Sequence, residues 1–174
     1  DVERWSALFG GRIELVNLYG PSETTMVKFF HRVRPEDAER RTIPIGKPMR
    51  GARGLILDAR SKPRPAGAIA EIYIRTPYRS LGYYNRPEET SQVFLRNPLS
   101  DDADELLYRT GDLGRVLDDG SFEFLGRKDQ QVKVRGVRVE LEEIESVLLQ
   151  QEPVREAAVV DQRDPQGNLF LAVF

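Results

Sequence analysis

The alternation of apolar and polar residues divides the chain into short strands, tight turns and two short helices. Ile13-Glu14-Leu15-Val16-Asn17 alternates and runs into Gly20-Pro21, which predicts a strand ending in a turn. Gly54 to Asp58 and Ala70 to Arg75 read as two further strands separated by a Ser61 to Gly67 turn that contains two prolines. In the second of these, Ala70, Ile72 and Ile74 share one face while Glu71, Tyr73 and Arg75 share the other. That pattern predicts a half-buried antiparallel sheet or barrel. Pro87 opens a short helix over Glu88 to Phe94, and Asn97-Pro98 closes it. Leu113 to Leu117 and Phe122 to Gly126 flank Asp118-Asp119-Gly120-Ser121, a strong hairpin signal. Gln131 to Arg135 and Val137 to Leu141 form a second strand pair turning at Gly136. Glu142 to Gln151 predicts an amphipathic helix with Ile144, Val147 and Leu148 on one side, ended by Pro153. Strands over Ala157 to Asp161 and Leu169 to Phe174 follow, joined by the Asp164-Pro165-Gln166-Gly167 turn, while Arg32 to Arg41 reads as a solvated loop.

The first hairpin has a chemical consequence, because it carries Asp112 at one end and Arg127 at the other. Asp112 follows a glycine in Tyr108-Arg109-Thr110-Gly111-Asp112-Leu113, where a carboxylate can accept two hydroxyl hydrogen bonds, as a ribose diol supplies. Arg127 is then placed for the same sugar or a phosphate. The plainer alternative is a turn-capping Asp112 and a solvated Arg127. Together with Gly126 to Gly136, a second run dense in charge and glycine, the segment reads as a nucleotide site joined to a hinge.

Composition narrows the class. The 174 residues are 40% hydrophobic and carry a net charge of -2, enough for a core and unsuited to a nucleic-acid surface. No apolar run approaches the roughly 20 residues of a membrane span, and the opening Asp1-Val2-Glu3-Arg4-Trp5 is no signal segment. The absence of cysteine removes disulfides and thiolate metal sites and suits the cytoplasm. The single histidine, His31, reads as structural or exposed.

Asn17-Leu18-Tyr19-Gly20-Pro21-Ser22-Glu23-Thr24-Thr25, Ile45-Gly46-Lys47-Pro48, Gly82-Tyr83-Tyr84-Asn85-Arg86-Pro87-Glu88, the Tyr-Arg-Thr-Gly-Asp run and the Gly126 to Glu143 segment occur in that order. Jointly they resemble the adenylation domain of nonribosomal peptide synthetases (NRPS), a branch of the AMP-forming acyl-activating enzymes. The resemblance implies a mixed α/β (α+β) fold: residues 1–128 as the C-terminal part of a large core with sheet and distorted barrel, and residues 129–174 as hinge and first part of a small mobile subdomain. It also implies a role for each matched residue. Tyr19, beside Gly20, stacks on adenine; Ser22 contacts the α-phosphate; Glu23 binds magnesium; Asp112 and Arg127 hold the ribose. Leu18, Met26 and Val27 line the pocket for the substrate side chain, where their apolar character favours a hydrophobic group. Asp129 is the hinge, Lys133 belongs to the face used in thioester formation, and Arg138 approaches phosphate.

The implied reaction is attack of a carboxylic acid, most simply an amino acid, on ATP to give an acyl-adenylate, followed by transfer to the phosphopantetheine thiol of a carrier protein. The alternatives are an acyl- or aryl-CoA ligase of the same superfamily and a non-catalytic adenylation-like module. Two parts the family uses are not found: a Ser/Thr/Gly-rich loop ending in lysine, expected upstream of Asp1, and a late lysine, expected beyond Phe174. The chain is therefore expected to be a piece of a longer synthetase, inactive by itself, with a tailoring domain possible after Phe174.

Overall fold

The structure, a computed structural model, describes residues 2–128, 131–134 and 137–174, and at 131, 133, 138 and 142 the backbone alone. The chain divides into two compact units, Asp1–Lys128 and Asp129–Phe174.

The first unit opens with helix α1 (Val2–Phe9) and a small antiparallel sheet of β1 (Val16–Tyr19), β2 (Phe29–Arg32) and β3 (Lys47–Pro48). The strand expected over residues 13–17 begins later. Its partner β2 ends at Arg32, opposite Val16, so Ile13 has no neighbour to pair with there and its side chain is exposed. Residues 32–41 are mostly exposed, as a solvated loop requires, with one local exception. The stretch contains a 3₁₀ turn, Pro35–Glu39, built on a buried Asp37. Asp37 accepts the Arg34 N–H at 2.9 Å, His31 Nε2 at 2.7 Å and Arg40 Nε at 2.9 Å. His31 is thus structural.

The larger sheet runs β4 (Arg53–Leu57), β5 (Ala70–Arg75), β6 (Phe94–Arg96), β7 (Leu106–Val116) and β8 (Phe122–Arg127), with helix α2 (Pro87–Val93) leading into β6. Its spatial order is β4-β5-β7-β6, with β8 also on β7, and every pairing is antiparallel. The expected half-buried sheet is corrected here, because β5 is covered on both faces. Ile72, 0% exposed, and Ile74 pack with Phe29, Ile45, Ile56 and Phe122. On the opposite face Tyr73 packs with Leu57 and Leu107, and Leu55 and Leu95 lie against them.

The second unit pairs β9 (Gln131–Val134) with β10 (Val137–Glu140), then helix α3 (Leu141–Leu149), then β11 (Val159–Arg163) with β12 (Leu169–Val173). Val147 is 55% exposed, so it lies off the packed face of α3, contrary to expectation. That face instead carries the buried Leu141 and the half-buried Ile144 and Leu148, spaced for one side of a helix. Glu145 Oε1 accepts the Val159 N–H at 2.8 Å, tying helix to strand.

Two stability measurements check this reading. Ile72→Ala removes a fully buried side chain from the middle of β5 and is expected to cost about 2–5 kcal/mol in urea unfolding. At Asp37 burial by itself favours the neutral acid, but the Arg34 N–H, His31 and Arg40 outweigh it and hold the pKa below the usual carboxylate range. A depressed folded-state pKa stabilises the fold above the unfolded pKa of about 3.9, and the gain fades as pH falls through the folded value. Asp37→Asn is accordingly expected to lose more stability relative to the parent at about pH 7 than at about pH 3.

Candidate functional site

The Tyr-Arg-Thr-Gly-Asp run forms a bulge. Between β5 and β7, Glu71 pairs with Leu113 and Tyr73 with Arg109, so Ile72 alone faces Thr110, Gly111 and Asp112. Gly111 adopts φ +75°, a left-handed conformation that glycine takes without steric cost. The buried Thr110 donates its hydroxyl to the Ile72 carbonyl at 2.8 Å and accepts the Asp112 N–H at 3.0 Å, replacing the ladder bonds the bulge interrupts.

Asp112, re-aimed by the bulge, is the meeting point. It lies opposite Arg127 in the β7–β8 register, and Arg127 Nη1 donates to its Oδ1 at 2.8 Å and to the Thr110 carbonyl at 3.1 Å. Both side chains are largely buried, so this charge-assisted bond is poorly screened. The Tyr19 hydroxyl donates to Asp112 Oδ2. Burial first, then the charge on Asp112, pushes the Tyr19 phenol far above its ordinary pKa, so it remains a donor. The Tyr19 ring packs against Phe29 and Phe124, with centroids 5.7 and 6.2 Å away.

A second cluster follows the turn after β1. A Cβ on Gly20 would sit 1.9 Å from the Met26 carbonyl oxygen, so only glycine lets the chain double back there. Ser22–Thr24 forms one 3₁₀ turn, and Thr25 and Met26 follow with φ of 58° and 66°, a conformation uncommon for side-chain-bearing residues. Backbone bonds hold them: Thr25 N–H to Ser22 at 2.9 Å, Met26 N–H to Pro21 at 3.2 Å and Lys28 N–H to Tyr19 at 2.8 Å. Lys28 Nζ donates to the Thr25 and Val27 carbonyls at 3.3 and 3.2 Å, and burial lowers its pKa. Glu23, 6% exposed, accepts the Tyr83 hydroxyl at 2.6 Å. The Tyr108 phenol is pushed up by burial, then by the charge of Glu23 and the neighbouring Tyr83. One face of the turn after β1 and one stretch of β7 therefore serve both clusters: Tyr19 meets Asp112, and Glu23 meets Tyr108.

The structure thus brings Tyr19, Asp112 and Arg127 together, with Gly20, Ser22 and Glu23 on the adjoining turn. Ser22 is exposed. Leu18 and Met26 are 56% and 69% exposed, so neither is a core residue, and Val27 is half-buried. Asp129 and the side chains of Lys133 and Arg138 lie outside the described residues. Tyr83, Tyr108, Glu71, Arg109 and Lys128 also take part in or around the site, and sequence reasoning gave them no role. The available signal for Glu71 was a carboxylate inside an otherwise apolar strand, read there as an outward position.

A family model described as AMP-binding enzyme matches residues 1–84. The chain is 46% identical over 155 residues to a chondramide synthase of Chondromyces crocatus, covering 87% of this chain and 4% of that protein. It is 43% identical over 174 residues to a malpibaldin synthetase of Mortierella alpina, covering 99% of this chain and 3% of that protein. Among solved structures, PA1221, an NRPS protein containing adenylation and PCP domains, superposes with a TM-score of 0.87 at 32% identity, over 99% of this chain and 35% of that one. The chain therefore spans only a small part of the length of the curated relatives it matches. By these matches the chain is similar to AMP-binding enzymes over residues 1–84 and, over nearly its whole length, to adenylation domains of nonribosomal peptide synthetases.

Proposed function

We propose that this chain supplies the nucleotide-holding part of an adenylate-forming ligase in a nonribosomal peptide synthetase. In the complete protein an oxygen of the substrate carboxylate bonds to the α-phosphorus of ATP, the bond to pyrophosphate breaks, and an acyl-adenylate forms. The phosphopantetheine thiol of a carrier protein then attacks the acyl carbon and AMP leaves. The observation that carries this reading is the bulge-mounted Asp112, oriented by Arg127, Tyr19 and Thr110.

A carboxylate offers about four lone-pair directions, so one that protein donors hold in place can still accept from a ribose diol. Asp112 takes that role, with Arg127 fixing its aim. The Tyr19 ring faces adenine, and the exposed Ser22 hydroxyl donates to the α-phosphate. Leu18, Met26 and Val27 contact the acid's side chain, which their apolar surfaces favour as hydrophobic. Asp129 serves as the hinge, Lys133 acts on the thioester-forming face and Arg138 meets phosphate.

Magnesium is the metal this family implies. Among the described residues no group of three His, Cys, Asp or Glu gathers as a dedicated cage. Magnesium does not need one, since one or two carboxylates and the substrate phosphates suffice, and the buried, phenol-oriented Glu23 fits that use. When bound it neutralises phosphate charge. The rest of the step is positioning, to which the chain's own residues contribute.

ATP–pyrophosphate exchange by the complete synthetase, run across amino, keto, hydroxy and aryl acids, tests the reading. Strong exchange with one hydrophobic acid is expected, and Asp112→Ala is expected to lower it by about a hundredfold. A folded parent protein that exchanges with no acid would overturn the proposal.

A further inference from the structure

Glu71 is a carboxylate, 6% exposed, in the central strand of a sheet covered on both faces. Such a group is costly unless several donors meet it. Three do. Its Oε1 accepts Arg109 Nε at 2.8 Å and the Gly111 N–H at 3.2 Å, and its Oε2 accepts Lys128 Nζ at 3.3 Å. The Gly111 carbonyl in turn accepts the Lys128 N–H at 2.8 Å. Glu71, Gly111 and Lys128 therefore close a ring of hydrogen bonds across β5, the β7 bulge and the end of β8.

The position of this ring gives it a meaning beyond satisfying a buried charge. Gly111 immediately precedes Asp112, and Lys128 immediately follows Arg127. The ring thus fixes the backbone next to both members of the Asp112–Arg127 pair while touching neither side chain's acid–cation bond. Gly111 is also the left-handed residue of the bulge, the point where the chain has most freedom to re-aim Asp112. Arg109, whose pKa Glu71 raises through its hydrogen bond, anchors the strand on the other side of the bulge.

We propose that Glu71 is a positioning residue for the nucleotide site: by closing the ring with Gly111 and Lys128 it sets the aim of the Asp112–Arg127 pair toward the ribose hydroxyls. This rests on the reading of Asp112 as the diol acceptor. Glu71 itself touches no substrate. Its loss acts through geometry, and the signature of that geometry is discrimination between nucleotides that differ only in a ribose hydroxyl.

The test compares ATP with 2′-deoxyATP in pyrophosphate exchange by the complete synthetase, with the acid giving the strongest exchange. The parent is expected to prefer ATP, and Asp112→Ala to abolish the preference. Glu71→Ala is expected to reduce the preference about tenfold, chiefly through a higher KM for ATP, because misaimed groups lose ground-state and transition-state contact alike. Glu71→Gln keeps an oxygen for the Gly111 N–H and is expected to retain more of the preference than the alanine variant. A merely structural role lowers the active fraction and so depresses both nucleotides equally. Lys128 is half exposed, so Lys128→Met opens the ring from a position that tolerates change, and it is expected to reduce the preference in the same direction. An intact preference in Glu71→Ala and Lys128→Met, with the preference lost in Asp112→Ala, overturns the inference about Glu71. An intact preference in Asp112→Ala overturns the diol reading itself.

Discussion

The constraint on which the rest depends is the placement of three residues of β7, Thr110, Gly111 and Asp112, opposite the single residue Ile72. A bulge in a buried strand strips backbone groups of their ladder partners, and each buried group left unsatisfied costs about 1–3 kcal/mol. The sequence meets that demand with side chains whose reach matches the gaps. The Thr110 hydroxyl serves as donor and acceptor in one place and the Glu71 carboxylate takes the Gly111 N–H, while the Lys128 backbone N–H donates to the Gly111 carbonyl. What remains after this repair is a carboxylate displaced from the regular pleat and aimed at a cation. The Thr-Gly-Asp order is therefore readable as a mechanical statement: a short hydroxyl to patch the ladder, a glycine to turn left-handed, an acid to be presented.

The turn after β1 solves a similar problem with backbone instead of side chains. Thr25 and Met26 both hold positive φ, at a cost of order 1–3 kcal/mol each, and they persist because Gly20 lets the Met26 carbonyl approach and because backbone bonds return to Pro21 and Ser22. Strain of this kind survives where the surrounding structure over-determines it. Here the return brings Tyr19 against Asp112 and Glu23 against Tyr83, coupling a turn from one sheet to a strand of the other.

Much of this was legible in the sequence, and the exceptions share a cause. The Asp-Gly hairpin, the α2 helix after Pro87 and the meeting of Asp112 with Arg127 follow from local rules of turn chemistry and period, and the structure has them. The errors arise wherever a residue's environment is set by a distant partner. Alternation in Ala70 to Arg75 suggested one wet face, but β4 and β7 on either side, with Leu57 and Leu107, cover it, and Glu71 is drawn in by Arg109 and Lys128. Ile13 alternates correctly yet is exposed, with no strand among the described residues paired to it, and Val147 is apolar yet exposed. Residues 32–41 are mostly exposed, as their charge suggests, but no local rule reveals that His31 and Arg40 converge on Asp37.

The buried acids also differ in the groups they meet. Asp112 and Glu71 meet guanidinium and ammonium groups, so each is neutralised as part of a pair before any ligand arrives. A carboxylate so paired attracts a further cation weakly. Glu23 takes a hydrogen bond from the Tyr83 phenol and lies beside the phenol of Tyr108, neutral groups that help to orient it. The two acids thus draw their donors from different elements, Asp112 from Arg127 of β8 and Tyr19 of β1, Glu23 from Tyr83 in the segment before α2.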